Sequence, residues 1–209
     1  LGSNSFHMIV MRQSEAGLQV VDRIREPVRL AVGLQKEKTL DPETRSRALD
    51  CLQRFGQILR DIPSAQVRVL GTNTLRRLRS SLPFFIEAEE ALGHPIEVIS
   101  GVEEARLIYG GVAHGLAGAD ERRLVVDIGG GSTELIVGVG PNPKLMESVH
   151  MGCVSFTQRF FPDGKISPAR LQRARQAATL ALQFLSARYR RSGWDRAIGA
   201  SGSVRSVWH

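Results

Sequence analysis

Residues 127–134 read DIGGGSTE, directly behind the apolar run LVV. Three consecutive glycines cost backbone entropy and add no packing, so the backbone itself must come close to something there. Backbone N–H groups reach an anion only where no Cβ intervenes, and glycine-rich turns after strands therefore make phosphate cradles. Two further stretches share this chemistry, residues 2–5 (GSNS) and residues 199–203 (GASGS). Gly129, Gly130, Gly131 and Gly202 offer backbone room, while Ser3, Asn4, Ser5, Ser132 and Thr133 add side-chain donors for phosphate oxygens. One such turn is most often only a tight turn; three in one chain favour phosphate binding.

Carboxylates flank the middle turn. Asp127 ends the buried run and Glu134 opens the next one. Two like charges beside a bound anion repel it unless a hard cation such as Mg²⁺ intervenes, held by one or two carboxylates and by phosphate oxygens. The plainer alternatives are a turn-capping Asp127 and a solvent-facing Glu134. In GTNTLRR, Arg76 follows a strand end by a few residues, where a guanidinium can clamp phosphate; Arg77 and Arg79 lie near it, with a solvated helix start as their alternative. VEEAR begins a helix with paired acids. Glu103 and Glu104 suit the positive helix N-terminus, and one of them can instead serve as a general base toward water.

The elements that must carry these residues read as α/β. Residues 6–12 and 18–24 form a hairpin across SEAG, and residues 28–32 offer a third strand. Asp41 and Pro42 start a helix whose Leu49, Leu52, Phe55, Leu59 and Ile62 recur at core spacing. Short strands are expected at 67–70, 96–99, 124–128, 135–139 and 196–198, with helices at 83–92, 102–116 and 168–191. Cys153 falls in a turn-like MGC. The 209 residues are 42% hydrophobic and 23% charged, ordinary globular composition, and no run approaches the ~18 apolar residues of a membrane span. Only Cys51 and Cys153 occur, without metal-site or disulfide spacing, and a reduced, cytoplasmic location is expected. The net charge of +7 lies between Arg159 and Arg196, which carry nine basic residues against two acids; the remainder is balanced. That region fits either a polyanionic partner or a solvated helix face. Zinc-finger, RNP and basic-zipper patterns are absent, and no specific nucleic acid is expected.

LGSNSFHM, GTNTLR, ISGVEEARLIYGGV, VVDIGGGSTEL, MGCVSF and GWDRAIGASGS occur in order and at matching distances. Together they resemble the exopolyphosphatase and guanosine pentaphosphate phosphatase (Ppx/GppA) family, within the actin, sugar-kinase and Hsp70 superfamily. The resemblance implies a ribonuclease-H-like, actin-type fold with a mixed sheet flanked by helices. It implies a first domain over 1–115 and 116–195, with 196–209 beginning a second, truncated one. It implies an aspartate and strand ahead of Leu1, and a homodimer in the full-length protein.

By motif, the family's catalytic base falls on Glu104 and its magnesium-associated acids on Asp127 and Glu134. Its phosphate contacts fall on Ser3, Asn4, Ser5, Arg76 and residues 129–133, with the turn at Gly202 a further one. The implied reaction is Mg²⁺-dependent hydrolysis of a terminal phosphoanhydride, with inorganic polyphosphate favoured over guanosine pentaphosphate (pppGpp). A kinase of the same superfamily and a non-catalytic polyphosphate or alarmone sensor are the competing classes.

Overall fold

The computed structural model describes all residues except 16, 79–81, 117, 119 and 209. They form two units, Leu1–Ile99 and Ser100–His209.

In the first unit, β1 (Phe6–Ser14) and β2 (Gly17–Glu26) make the expected antiparallel hairpin. The helix expected after Asp41 is α1 (Pro42–Leu59): the Asp41 carboxylate accepts from the Thr44 amide at 2.8 Å and proline occupies the first turn. Its Ala48, Cys51, Leu52, Phe55 and Leu59 are buried. They pack with Phe6, Leu30, Leu75, Leu78 and with Phe84, Ala88 and Leu92 of α3 (Leu82–Leu92). A short 3₁₀ turn at Ser64–Gln66 leads to β3 (Leu70–Gly71), α2 (Asn73–Arg77) and, after α3, β4 (Glu97–Val98), which lies parallel to β3. The strands expected at 67–70 and 96–99 are therefore shorter than their apolar runs.

Residues 28–32 are not the third strand their composition suggested. Val28 and Leu30 are fully buried, but the segment forms a turn. Its amides serve the Gly2–Ser5 stretch instead: Arg29 N donates to Asn4 O at 2.8 Å and Ala31 N to Ser3 O at 2.9 Å.

The second unit opens with α4 (Gly101–His114), capped by Ser100, whose hydroxyl accepts from the Glu103 amide at 3.1 Å. Strands β5 (Arg122–Ile128), β6 (Thr133–Val139) and β7 (Asn142–Val149) form an antiparallel meander; α5 (Cys153–Phe160), α6 (Pro168–Ser192), β8 (Arg196–Gly199) and α7 (Gly202–Trp208) follow. The sheet order is β7-β6-β5-β8, with β8 parallel to β5. Alternation assigns its faces. Val125 and Ile136 pack with Ala105 and Tyr109 of α4 on one side, while Val137 and Leu145 pack with Tyr189 of α6 on the other. MGC is not an isolated turn: Gly152 caps α5 and Cys153 begins it. No described helix is long and apolar enough to cross a membrane.

Candidate active site

Asp127 and Glu134 are direct Cα partners in the β5–β6 ladder, and Glu134 is in turn opposite Ser148 of β7. Cross-strand partners project from the same face. The row Asp127, Glu134, Ser148 continues the face on which Val125 and Ile136 meet α4, so the helix that buries Ala105 and Tyr109 also brings Glu104 of its first turn toward the two acids.

Glu134 is 1% exposed, which removes the solvent-facing alternative. Burial, followed by the Glu104 charge, pushes its carboxyl up to about 7, against the opposing hydrogen bonds from Ser148 and Ser132. The Ser148 hydroxyl donates to Glu134 Oε1 at 2.8 Å. Burial and then Glu104 raise Asp127 as well. Glu103, by contrast, is turned to Arg106, one turn on, at 2.7 Å. Of the paired acids in VEEAR, Glu104 is the one coupled to the carboxylates of the sheet.

Between Asp127 and Glu134 the glycine turn is sorted by polarity. Three of its carbonyls are tied back to protein: Gly129 N donates to Ser132 O at 2.9 Å, Cys153 N to Gly129 O at 2.9 Å, and Val154 N and Ser155 N both to Gly130 O at 2.9 and 3.1 Å. The amides of Gly130, Gly131 and Ser132 donate to no acceptor among the described residues. A turn with unengaged amides and most of its carbonyls occupied has donors to offer, which is what an anion needs. The Thr133 hydroxyl is committed to the Met151 carbonyl, and Ser132 bonds Glu134. A Cβ on Gly152 would lie 2.4 Å from Gly130 O, so glycine there lets α5 dock on the turn. Past β8, the Ser201 hydroxyl accepts from Ile128 N at 3.2 Å, which fixes the GASGS stretch to the exit of β5; Gly202 is exposed at the start of α7.

The first unit repeats this polarity. Gly2 N donates to Ser5 O at 3.1 Å, while Asn4 O and Ser3 O accept from Arg29 and Ala31. The amides of Ser3, Asn4 and Ser5 have no acceptor among the described residues. Ser3 and Ser5 are buried, and the Thr74 hydroxyl of α2 bonds Ser3 Oγ at 2.8 Å. Arg76, two residues further on, donates from Nη1 to Ile99 O at 2.9 Å. Arg77 is exposed, and Arg79 lies outside the described residues.

Among the described residues no three His, Cys, Asp or Glu side chains form a cluster able to hold a metal ion by themselves. The acids present fit a different mode. Carboxylates raised by desolvation and by the Glu104 charge beside them favour a cation, and Mg²⁺ takes one or two carboxylates, completing its shell with water and phosphate oxygens. A groove of about 370 Å³ in the first unit is lined by Met8, Phe55, Leu59 and Leu92 and contains none of the candidate residues. Ser148 and the α5 amides were not among the residues the sequence singled out; they carry no motif and become partners only through the β6–β7 register and the docking of Gly152.

The family model of the Ppx/GppA phosphatase family matches residues 9–209. The chain is 45% identical over 207 residues to a Haemophilus influenzae protein provisionally named exopolyphosphatase, covering 99% of this chain and 64% of that protein. It is 46% identical over 207 residues to the guanosine-5'-triphosphate,3'-diphosphate pyrophosphatase of Vibrio vulnificus, covering 99% of this chain and 41% of that one. Among solved structures, an exopolyphosphatase from Cytophaga hutchinsonii superposes with a TM-score of 0.88 at 25% identity, covering 97% of this chain and 65% of the other. The chain thus spans less than two thirds of each of these relatives. The fold they share is the expected actin-type mixed α/β one.

Proposed function

The chain belongs to the Ppx/GppA phosphatase family, and from that premise we propose that it carries the catalytic part of an exopolyphosphatase, which hydrolyses the terminal phosphoanhydride of inorganic polyphosphate and releases orthophosphate. The observation that supports this reading most is the Gly129–Ser132 turn, whose amides at Gly130, Gly131 and Ser132 lack acceptors among the described residues, set between half-buried Asp127 and buried Glu134 and coupled to a third acid on α4.

In this reading the unengaged amides of Gly130, Gly131 and Ser132 hold phosphate oxygens in the second unit, where Gly202 adds backbone room, and those of Ser3, Asn4 and Ser5, with the Arg76 guanidinium, do so in the first. Glu104 accepts a proton from the attacking water, which leaves the water oxygen to form the new P–O bond as the anhydride P–O bond breaks. Asp127 and Glu134 would hold Mg²⁺, oriented by Ser148 and Ser132. When bound, Mg²⁺ supplies charge neutralisation at the phosphoryl oxygens. Thr133 contributes through its backbone and through the tie to Met151.

A second substrate, guanosine pentaphosphate, is favoured by one observation: the chain is as similar to a relative named for that nucleotide as to one named for polyphosphate. Phosphate release from long-chain polyphosphate and from the pentaphosphate, measured with and without Mg²⁺ on the chain with its native flanks, tests both. Release from polyphosphate supports the first reading, and release from the pentaphosphate alone replaces it with the second. Binding without release of either would make the protein a sensor.

A further inference from the structure

Two arginines of different segments contact the donor-rich turn of the first unit, Arg25 by its side chain and Arg29 by its backbone amide. Arg25, in β2, donates from Nε to Ser5 Oγ at 3.4 Å. Arginine only donates, so Ser5 Oγ is the acceptor and its own proton is left for another acceptor. Arg29 meets the preceding residue of the turn, its amide donating to Asn4 O at 2.8 Å. It stands between buried Val28 and Leu30, which anchor the segment, and is itself exposed. Among the described residues neither Arg25 nor Arg29 makes an ion pair.

The backbone at Arg29 adds a second, independent observation. Its φ is 56°, in the left-handed region that a side chain with a Cβ adopts at a cost and glycine does not. The turn over 28–32 would be held as well by glycine at this point, so the fold alone gives no reason for an arginine. Strained positions of this kind gather at ligand-binding sites. His7, directly opposite Arg25 in the hairpin, reports the local field: burial lowers its pKa first, and Arg25 and Arg23 lower it further. The surface beside Ser5 is thus positive, donor-rich and without an anion of its own among the ion pairs of the described residues.

We propose that Arg25 and Arg29 form an additional cationic subsite flanking the amides of Ser3, Asn4 and Ser5, and that it takes a further phosphate group of a phosphoanhydride chain. The proposal rests on the phosphate-cradle reading of this turn. Orthophosphate fills one position; tripolyphosphate spans the turn and the arginine pair.

Calorimetric titration of the chain with orthophosphate and with tripolyphosphate tests it, using wild type, Arg25→Gln, Arg29→Gln and Arg29→Gly. Losing a charged hydrogen-bonding partner should weaken tripolyphosphate binding by about tenfold or more, and orthophosphate binding less. Arg29→Gly should lose tripolyphosphate affinity to the same degree while melting at the same or a higher temperature, because glycine relieves the left-handed backbone. Unchanged tripolyphosphate affinity in Arg25→Gln and Arg29→Gln would overturn the subsite and leave the cradle standing. A lower melting temperature for Arg29→Gly would overturn it too, by making Arg29 a packing residue. Failure of wild type to bind either probe would remove the cradle and the subsite with it.

Discussion

Asp127 and Glu134 stand directly opposite one another across the β5–β6 ladder, with only the glycine turn between them in sequence. Like charges at such a position destabilise a sheet. The chain nevertheless keeps both, buries Glu134 fully and Asp127 in part, and sets the acid of α4 against them. Stability is set against charge at this point, and the first prediction measures that opposition.

Glu134 is raised from its ordinary 4.5 to about 7 in the folded chain, so folding favours its protonated form. The resulting penalty is absent below the unfolded value and complete above the folded one, and stability falls as pH rises through that window. Each tenfold change in proton affinity is worth about 1.4 kcal/mol. On that scale Glu134→Gln should stabilise the metal-free chain at pH 8 by on the order of 2–3 kcal/mol and have little effect at pH 4.5. Denaturant unfolding in EDTA at the two pH values checks this. Excess Mg²⁺ should narrow the gap, since a cation bound by the folded carboxylate stabilises wild type and not the amide.

Glu104→Gln should lower phosphate release by roughly 10²–10⁴-fold, the ordinary contribution of a general base, and leave phosphate binding within a few-fold of wild type. Paired turnover and binding measurements on the chain with native flanks check it. Full activity in this variant would remove Glu104 from the chemistry and leave it a helix-capping acid.

Two glycine substitutions should separate the turn from ordinary helix. In Gly152→Ala the new methyl meets Gly130 O at 2.4 Å and Gly131 N at 2.5 Å. Backbone cannot yield as a side chain does, so α5 must move off the turn, at about 1–3 kcal/mol, with loss of phosphate binding. Gly111→Ala, inside α4 with nothing within 4 Å of the new methyl, should instead stabilise by about 0.5–1 kcal/mol. Thermal unfolding and phosphate titration of both variants read the contrast.

The two cysteines should differ in reactivity. Cys153 is exposed, whereas Cys51 is fully buried in α1 and desolvation pushes its thiol up to about 11. A thiol reagent at neutral pH should label one cysteine rapidly in the native chain and a second only after denaturation. Rapid labelling of Cys51 would mean that α1 opens easily.

Much of this was legible in the sequence because it rests on local rules. Asp41 and Pro42 specify the start of α1 whatever surrounds them, and a triple glycine between two acids admits few uses. The segment at 28–32 reads as a strand because Val28, Leu30 and Val32 alternate, but its amides are claimed by Ser3 and Asn4, more than twenty residues away, and tertiary bonding decides the outcome. β7 carries no strand signature because prolines at 141 and 143 interrupt its start, and Ser148 acquires its role only from the register that puts it beside Glu134. The N-terminus of α5 was hidden for a related reason. Its first donors serve the glycine turn, a partner that sequence spacing does not reveal.

The meander from β5 through β7 into α5 also bears on the order of folding. Asp127, the glycine turn, Glu134, Ser148 and the amides that secure the turn all lie within one uninterrupted stretch, joined by tight hairpins. Hairpins of this kind close in about 1–10 μs. The parallel pairing of β8 with β5, marked by the Ile128–Ser201 bond across 73 residues, must wait for a far larger loop to close. The acid pair and its turn are therefore expected to form before the edge of the sheet is complete, so that the chain meets their like-charge repulsion at the outset of folding rather than at its end.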